Sequence, residues 1–449
     1  MNMKTAKICL LCLVWTTTLD RVSAADKLSD QAQEAMKKST AFLRSISTQG
    51  GYVGIYSLDL KERYGEAKRE KAEIGEIWVQ PPGTPSVGKA YLRGYTVTGD
   101  KYYSEAARQT ALALAWGQRQ AGGWDHRVDV SHRTPNSNRV VRNKGQCSFD
   151  DNISQEPLSF LIQLDKHLDE PWLTEAIDVA LDFFLEAQFD NGAWSQWYPL
   201  RGKYHDYYTF NDGAINDCIR VLLEAYKAYG NQKYLNAAKR AGEFIIASQL
   251  PPPQAGWAQQ YSHDLKPAWA RAFEPPAVCT LATAKNIRTL VDLYLVTKDA
   301  ALLQPIPAAI DWLNRSQIGD RLWARLYELD TNKPIYGDRD EKVHYTLEEL
   351  SDERRYGYGW QGDFNIPDTI EYYQSVIKLG TDKYLAKQSR PIRNSRRKRL
   401  ATSLENQVEH VITQLDEKGR WTREDTFTSG DFVENFNLLC DYLELLKTR

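Results

Sequence analysis

The sequence predicts a mainly helical protein in which repeated helical hairpins form an α/α barrel (toroid), with irregular rim loops and little β structure. Apolar residues recur at the three- and four-residue spacing of amphipathic helices, whereas the alternating pattern of strands is scarce. One unit also recurs: a helix pattern that ends near a glutamine, a turn that contains glycine, and then a tryptophan. Its copies end at Trp124, Trp194, Trp257 and Trp421, with a weaker copy at Trp323.

A second helix type lies between these units, in residues 90–108, 218–240 and 287–304. Hairpins that recur roughly every 60–70 residues cannot bury their apolar faces alone, so they must stack on one another. Stacked pairs can form an open solenoid or a closed α/α barrel, and a helix bundle is a further alternative. We expect closure, because the glycine–tryptophan loops would then bring their polar clusters to one cavity at a shared rim.

The first 24 residues are typical of a secretory signal peptide. Lys4 and Lys7 precede the apolar run at residues 8–15, and Val22-Ser23-Ala24 is a small-residue cleavage site. We therefore expect a secreted or periplasmic protein whose residues 25–449 form a single α/α-barrel catalytic domain. Within it, the basic run at residues 387–399 predicts an exposed, linker-like insertion, with polyanion binding as the alternative.

The charge balance excludes some classes of partner. Removing Lys4, Lys7, Arg21 and Asp20 with the signal peptide leaves 54 of 57 basic and 58 of 59 acidic side chains, a net charge of −4. Such a chain has no global positive field to hold nucleic acid. Beyond the signal peptide, no stretch approaches the length of apolar sequence that spans a membrane. Four cysteines remain, without CxxC spacing: Cys147, Cys218, Cys279 and Cys440. Three of them lie in apolar helix patterns, where buried thiols are expected, and a disulfide is the alternative in an exported chain.

A short acidic phrase occurs twice, each time directly before a helix pattern. Residues 148–154 read SFDDNIS and residues 209–215 read TFNDGAI, so that Asp150-Asp151 aligns with Asn211-Asp212. Phe273-Glu274 falls in the corresponding place of the next repeat. Such residues often cap the free amides of a helix. One cap needs one acceptor, however, and the surplus of hard oxygens at residues 150–152 also suits a calcium ion, so both interpretations stay open here.

Aromatic and cationic residues crowd the loop before Asp212. Residues 191–212 carry Trp194, Trp197, Tyr198, Tyr204, Tyr207 and Tyr208 around Arg201 and Lys203. Rings that stack on pyranose faces and cations that pair with carboxylates suit an acidic sugar chain; the alternative is a tyrosine-rich packing loop. Further along, Arg271 stands just before Phe273-Glu274, and surface ion pairing is an equal alternative for the charged residues Asp338, Arg339, Lys342, Arg354 and Arg355.

Other chemistries lack their motifs. The sequence has no HExxH, no GxSxG elbow, no Walker loop and no GxGxxG opening a βαβ unit. A glycoside hydrolase that uses Asp151 and Asp212 as acid and base is one alternative, and a non-catalytic uronate-binding protein is another. The number of cations near these carboxylates favours an anionic substrate over a neutral one.

Together these motifs resemble the pectic acid lyases of polysaccharide lyase family 10. The resemblance rests on SFDDNIS, GAWSQWYPLRG, YTFNDGAI, PAWARAFEPP and PIYGDRDEKVHY, which lie in this order within roughly residues 120–360. It implies a mainly helical α/α barrel with a substrate cleft at one rim. It also implies calcium as cofactor and β-elimination of polygalacturonate, the homogalacturonan chain. We expect a monomer with no nucleic acid partner.

The resemblance also implies roles for individual residues. Asp151, Asn152 and Asp212 would hold calcium and the substrate carboxylate, and Asp151 counts among the catalytic groups. Arg271 would remove the proton, and Arg339, in the RD motif, would bind a uronate carboxylate. The expected substrate-binding set is Asn152, Trp197, Tyr198, Arg201, Lys203 and Arg339. Two departures, Ser195 where proline is usual and GGWDHRVDV without the usual tryptophan–proline, concern the outer subsites more than the reaction.

Overall fold

The computed structural model describes residues 24–131 and 142–447, and helices dominate it. The predicted signal peptide lies almost wholly outside the described residues. The α-helices are α1 Ala24–Ser45, α2 Thr84–Thr98, α3 Lys101–Gly117, α4 Gln155–Asp165, α5 Pro171–Glu186, α6 Ala214–Tyr229, α7 Gln232–Ala247, α8 Thr280–Thr297, α9 Ile306–Arg315, α10 Asp352–Gly357, α11 Ile366–Leu379, α12 Thr381–Gln388, α13 Asn394–Thr413 and α14 Ser429–Leu446.

The strands are two to four residues long. They are β1 Ile55–Ser57, β2 Arg63–Tyr64, β3 Glu76–Trp78, β4 Arg127–Asp129, β5 Cys147–Ser148, β6 Trp197–Tyr198, β7 Tyr208–Thr209, β8 Trp257–Ala258, β9 Gln260–Tyr261, β10 Val278–Cys279, β11 Gln317–Gly319, β12 Leu322–Ala324, β13 Leu326–Tyr327, β14 Pro334–Gly337, β15 Val343–His344, β16 Gln361–Gly362, β17 Thr422–Arg423 and β18 Thr426–Thr428. Strands this short tie loops together rather than build a core sheet.

Successive hairpins stack side by side. Helices α14, α2, α4, α6 and α8 form a continuous row of neighbours, which we call the inner helices, and α8 also packs on α11. Each inner helix pairs with an adjacent helix in sequence, as α2 does with α3 and α6 with α7. The contact of α14 with α2 brings the last hairpin against the first. Among the described residues, α11 and α14 share no comparably extensive contact, so the ring is least tightly joined there. The predicted mainly helical fold of repeated hairpins is confirmed.

One pairing rule places all the rim loops at the same end of the inner helices. The strand before an inner helix pairs antiparallel with a strand that follows the tryptophan of the next repeat: β5 with β6, β7 with β9, and β10 with β13. Strand β18, before α14, pairs in turn with β1 near the N-terminus. The segments between each tryptophan and the next inner helix, here called rim loops, therefore meet at the N-terminal ends of the inner helices.

The recurring glutamine and tryptophan fasten each loop to two helices. The Trp194 indole donates to the carbonyl of Phe184 at 2.9 Å, and the Gln188 amide donates to the carbonyls of Gly192 and Ala237, both at 2.9 Å. The carbonyl of Phe184 lies in the last turn of α5, where helix carbonyls lack an intrahelical partner. Gly192 lies in the turn after α5 and Ala237 within α7, so the glutamine ties the turn to the neighbouring helix. The indole bond recurs at Trp124, Trp257, Trp323 and Trp421, and the amide bonds recur at Gln118 and Gln249.

Replacing Trp194 by phenylalanine should lower the free energy of unfolding by about 1–3 kcal/mol, because the buried carbonyl of Phe184 loses its donor while most of the ring volume stays. Urea unfolding followed by circular dichroism measures this loss. The matched control is Trp269→Phe at a ring that is 37% exposed, where we expect little change. Equal stability of the two variants would contradict the fastening role of the indole.

Two further predictions, on the cysteines and on the basic run, can be compared with the structure. The four cysteines outside the signal peptide are all buried and free, as expected. The basic run, in contrast, is not one linker: Lys387 and Gln388 end α12, residues 389–393 link the helices, and Asn394 begins α13. Arginine, lysine and leucine favour helix once a tertiary neighbour supports it, which explains the difference. None of the described helices combines the length and apolar character needed to cross a membrane.

Candidate active site

The two acidic phrases adopt the same backbone conformation at the rim. Asp151 and Asp212 have φ values of 44° and 48°, in the left-handed region that aspartate tolerates better than most side chains. In both loops the hydroxyl before the phenylalanine, that of Ser148 or Thr209, accepts from the amide two residues on. The predicted alignment of these two phrases therefore holds in the structure.

The third repeat departs from this pattern. Strand β10 leads directly into α8, and Phe273-Glu274 lies before β10 rather than after it. The expected equivalence of Phe273-Glu274 with the two acidic phrases is therefore wrong, because the third repeat lacks the intervening turn. Glu274 nevertheless reaches the same rim through its contact with Arg271.

The acidic side chains of the first two loops do not cap helices. No side-chain cap bond is made at the starts of the short 3-10 helices Asp150–Asn152 and Asn211–Gly213, or at the start of α4. Caps of that kind occur instead on α3 and α7, where Asp100 and Asn231 accept from backbone amides. The capping interpretation therefore does not explain the acidic phrases.

Three carboxylates converge where the two loops meet. One oxygen each from Asp150, Asp151 and Asp212, here called the acidic triad, lie within 4.8 Å of one another. Gln196 donates to one oxygen of Asp150 at 2.6 Å, whereas the other is buried without a hydrogen-bond partner. Gln80 donates to Asp151 at 3.0 Å. A set of carboxylate oxygens with an unused buried lone pair fits calcium, which takes six to eight oxygen ligands in flexible geometry.

The triad carries more negative charge than its surroundings support. Burial, and then the neighbouring Asp212 carboxylate, raise the pKa of Asp150 to about 7. The same two causes raise the pKa of Asp151 to about 6. Near neutral pH the triad therefore needs either a proton or a cation to offset the repulsion between its carboxylates.

Arg271 faces the triad from the third repeat and is held by a buried carboxylate. Its guanidinium donates to the two oxygens of Glu274 at 2.8 and 2.7 Å and to Asp212 at 3.4 Å. Glu274 is 2% exposed and also accepts from the hydroxyl of Tyr358 at 2.8 Å. Burial opposes the charge on Arg271, but the Glu274 hydrogen bonds and the Glu274 and Asp212 charges together raise its pKa.

A cluster of guanidinium groups surrounds this pair. Arg271, Arg339 and Arg354 lie 5.2, 5.7 and 4.5 Å from the centre of the Phe273 ring. Arg325 lies 4.5 Å from the centre of the Tyr358 ring, and its buried Nε has no hydrogen-bond partner. Positive groups thus flank the negative triad, an arrangement that suits a ligand with several carboxylates.

Sequence reasoning overlooked Arg325 and Gln196 and did not include Asp150 among the expected metal ligands. The sequence pattern could have indicated Arg325 and Gln196, because each stands two residues after the tryptophan of its repeat. His126, in the same position of the first repeat, has its pKa raised by Asp125, Asp150 and Asp151 in spite of burial. The backbone carbonyl at this position also accepts a hydrogen bond from the amide of the residue that directly follows the neighbouring strand. The second residue after each of these tryptophans therefore points its side chain to the rim.

Several predicted substrate-binding residues have other partners in the structure. The Asn152 oxygen accepts from Arg220 at 2.9 Å, and the Tyr198 hydroxyl donates to Glu186 on α5 at 2.8 Å. Trp197 stacks on His205 with ring centres 3.6 Å apart.

The cationic members of the set differ in how they are held. Arg339 is paired with Glu353 at 2.6 Å and is 59% exposed. The side chains of Arg201 and Lys203 are exposed on their loop. The structure thus brings Asp151, Asp212 and Arg271 together, with Arg339 beside them.

Comparison with known proteins agrees with the resemblance in the motifs. The sequence model of the family described as pectic acid lyase matches residues 118–321 and 316–369, more than half of the chain. A family 10 polysaccharide lyase from Cellvibrio cellulosa is similar in structure, with a TM-score of 0.51 and 22% identity over 66% of this chain and 98% of that one. A mutant of the Cellvibrio enzyme in complex with trigalacturonic acid gives the same TM-score and identity over 65% and 98%. No curated protein sequence matches the chain.

Proposed function

Because the chain belongs to the pectic acid lyase family and is a polysaccharide lyase, we propose that it cleaves polygalacturonate by calcium-assisted β-elimination. The observation that carries this proposal is the acidic triad facing Arg271 across 3.4 Å, with further guanidinium groups alongside. The complex of a structurally similar lyase with trigalacturonic acid supports the choice of polymer. The anionic substrate also accounts for the positive groups around Phe273.

β-Elimination removes the proton next to the uronate carboxylate and expels the glycosidic oxygen as a new carbon–carbon double bond forms. That proton is too weakly acidic while the carboxylate keeps its full negative charge. A calcium ion held by Asp150, Asp151 and Asp212 would neutralise the carboxylate and so acidify the proton. Arg339 and Arg354 would pair with further carboxylates of the chain and orient it.

Arg271 is the proposed base, and its surroundings set the pH at which it can act. The buried Glu274 fixes the guanidinium plane and keeps it charged, which favours positioning but opposes proton removal. Only the small deprotonated fraction of Arg271 can take the proton. Bound calcium would enlarge that fraction, because a cation beside Asp212 offsets the charge that Asp212 contributes.

We therefore expect kcat to rise with pH across the alkaline range and activity to vanish in excess chelator. The rise follows from the raised pKa of Arg271, because a base with a pKa above the assay range gains active fraction with every unit of pH. Initial rates on polygalacturonate from pH 7 to 10.5, with and without chelator, test this. A flat profile would contradict the arginine base, and full turnover in chelator would contradict the calcium requirement.

Protons and calcium should compete for the acidic triad. With pKa values of about 7 and 6 for Asp150 and Asp151, both groups are largely ionised at pH 8 but half or more protonated at pH 6. We expect calcium affinity to fall by about 20-fold between pH 8 and pH 6. Calorimetric titration of the protein with calcium, without substrate, measures this, and an affinity that stays constant over this range would show that the triad is not the site.

One assay separates lyase action from its alternatives. The mature chain is incubated with polygalacturonate and calcium while ultraviolet absorbance and reducing ends are followed together. Unsaturated ends that absorb in the ultraviolet support the proposal. Reducing ends without absorbance indicate hydrolysis by Asp151 and Asp212, and binding without either product indicates a non-catalytic uronate-binding protein.

A further inference from the structure

Positive charge is concentrated in one segment far from the acidic triad in sequence. Residues 378–399 contain 9 of the 57 basic side chains and 1 of the 59 acidic ones, so this segment carries a charge of +8 in a chain of −2. The remainder of the chain is therefore at −10. The single acid, Asp382, is already paired with Lys298 at 2.9 Å.

Most of these cations have no partner. Arg397 donates to the carbonyls of Glu444 and Leu445 at the end of α14, an ordinary way to satisfy a helix terminus. Within residues 24–131 and 142–447, no ion pair or side-chain hydrogen bond engages the other eight: Lys378, Lys383, Lys387, Arg390, Arg393, Arg396, Lys398 and Arg399. All eight are exposed. The segment is therefore not an ordinary surface on which positive and negative side chains pair with one another.

The segment lies at the end of the molecule opposite the rim. The inner helices begin at the rim loops, and the contact of Lys447 with the Thr96 carbonyl at 3.4 Å joins the far ends of α14 and α2. Arg397 sits at that same far end of α14. Helix α14 has 18 residues, so it separates this end from the rim by about 27 Å.

A cavity at this end adds to the positive charge. It has a volume of about 710 Å³, and its lining includes Lys89, Arg93, Lys166, Arg397 and Lys447, with Glu444 as the only acid among the described residues that line it. Two of these cations have carboxylate partners, since Lys89 pairs with Glu156 at 2.9 Å and Arg93 pairs with Asp441. Arg397 also lines a groove of about 530 Å³ beside Pro391, Ile392 and Leu400. Cavity, groove and segment form one surface, which we call the basic pole.

We propose that the basic pole is a second binding site for a polyuronate chain, separate from the active site; this inference rests on the proposed function. A polyuronate carries one carboxylate on each sugar, so it matches a long row of unpaired cations. Binding one stretch of polymer at the pole raises the local concentration of the rest of that polymer near the rim. A trimer is too short to reach both ends of the molecule.

The side chains of the segment favour a polyanion over a lipid surface. The large aliphatic residues in and next to the segment are at most half exposed, with Ile377 at 49%, Leu385 at 43%, Ile392 at 45% and Leu400 at 37%. Ile392 and Leu400 line the groove beside α14, so they are not free to insert into a bilayer. Tyr384 is the one aromatic residue of the segment and is partly buried against Tyr372, so the segment has no array of rings for stacking on sugars. Charge alone would hold the polymer, and salt should weaken the binding.

The test compares a variant with Arg390, Arg393, Arg396, Lys398 and Arg399 all replaced by glutamine with a matched control. The control replaces five exposed cations that have carboxylate partners, namely Lys61, Lys68, Lys233, Lys266 and Arg321, by glutamine. At low salt we expect the basic-pole variant to raise KM for polygalacturonate about tenfold while its kcat/KM on trigalacturonate stays at the wild-type value. The control variant should match the wild type on both substrates.

Binding without turnover keeps this inference distinct from the proposed function. In excess chelator, retention of the wild type on immobilised polygalacturonate should persist, fall with salt, and be lost in the basic-pole variant but not in the control. Neutral galactan should retain none of them. Equal retention of the two variants, or binding to phosphatidylglycerol vesicles but not to polygalacturonate, would overturn the inference whether or not the chain proves to be a pectate lyase.

Discussion

Replacing Arg271 by alanine is expected to lower kcat on polygalacturonate by about 10³-fold or more, the largest single effect we anticipate. The variant loses the proposed base, and it also leaves the carboxylate of Glu274 buried without its main partner. Steady-state rates on the polymer measure the catalytic loss. Circular dichroism and the midpoint of thermal unfolding show whether the fold survives, since an unpaired buried charge is itself destabilising.

The lysine variant separates the role of the base from that of the ion pair. Arg271→Lys keeps a positive charge beside Glu274, but the unperturbed pKa of lysine is about two units lower than that of arginine. If residue 271 takes the proton, the alkaline rise of the rate should move to lower pH by a comparable amount. A profile that is unchanged in Arg271→Lys, together with full activity in Arg271→Ala, would exclude Arg271 as the base.

Replacing Asp150 by asparagine should weaken calcium binding by more than about 10–100-fold. That loss is typical for residues that only orient a metal ligand, whereas Asp150 is proposed to bind the metal itself. The side chain keeps its shape and its contact with Gln196, but it loses the charge and one ligand oxygen at the buried position that has no other partner. Calorimetric titration with calcium measures the affinity. Activity should return in part at high calcium, because the remaining triad still supplies two carboxylates.

The same variant should make the protein without calcium more stable above pH 7. A carboxyl whose folded pKa is raised binds its proton more tightly in the folded state, so its contribution to stability falls as pH rises from about 4 to 7. Asp150→Asn removes that penalty. The control is Asp100→Asn at the cap of α3, where asparagine caps equally well. Wild-type calcium affinity in Asp150→Asn would contradict the triad.

The fold could be predicted from the sequence because its repeats are visible in the spacing of a few residue types. Glutamine, glycine and tryptophan recur where each loop is fastened, and the bonds of Gln188 and Trp194 explain why those types are needed. Two acidic phrases with one conformation follow from the same periodicity. The parts of the candidate site that repeat with the fold, Asp151 and Asp212, could therefore be found by aligning the chain with itself.

The parts that break the periodicity could not be found in this way. Asn152 was expected to face substrate, yet Arg220 on α6 holds its oxygen, and the hydroxyl of Tyr198 is held by Glu186 in the same manner. Glu274 reaches the rim from before β10 rather than after it. Such orientations depend on which neighbour is within hydrogen-bond distance, and that neighbour lies on a separate helix, 12 residues away for Tyr198 and 68 for Asn152.

Because the rim loops are fastened at both ends, their length can change in evolution while the helices stay in place. A loop is held at its start by the indole of its tryptophan and at its end by a short strand pair, so the stretch between is free to lengthen. Only six residues separate Trp421 from Thr428, whereas Trp323 is followed by some forty residues before α11. Insertions in these stretches could alter preference for polymer length or esterification while the helical frame stays intact, which makes the loops the natural target for engineering new specificities.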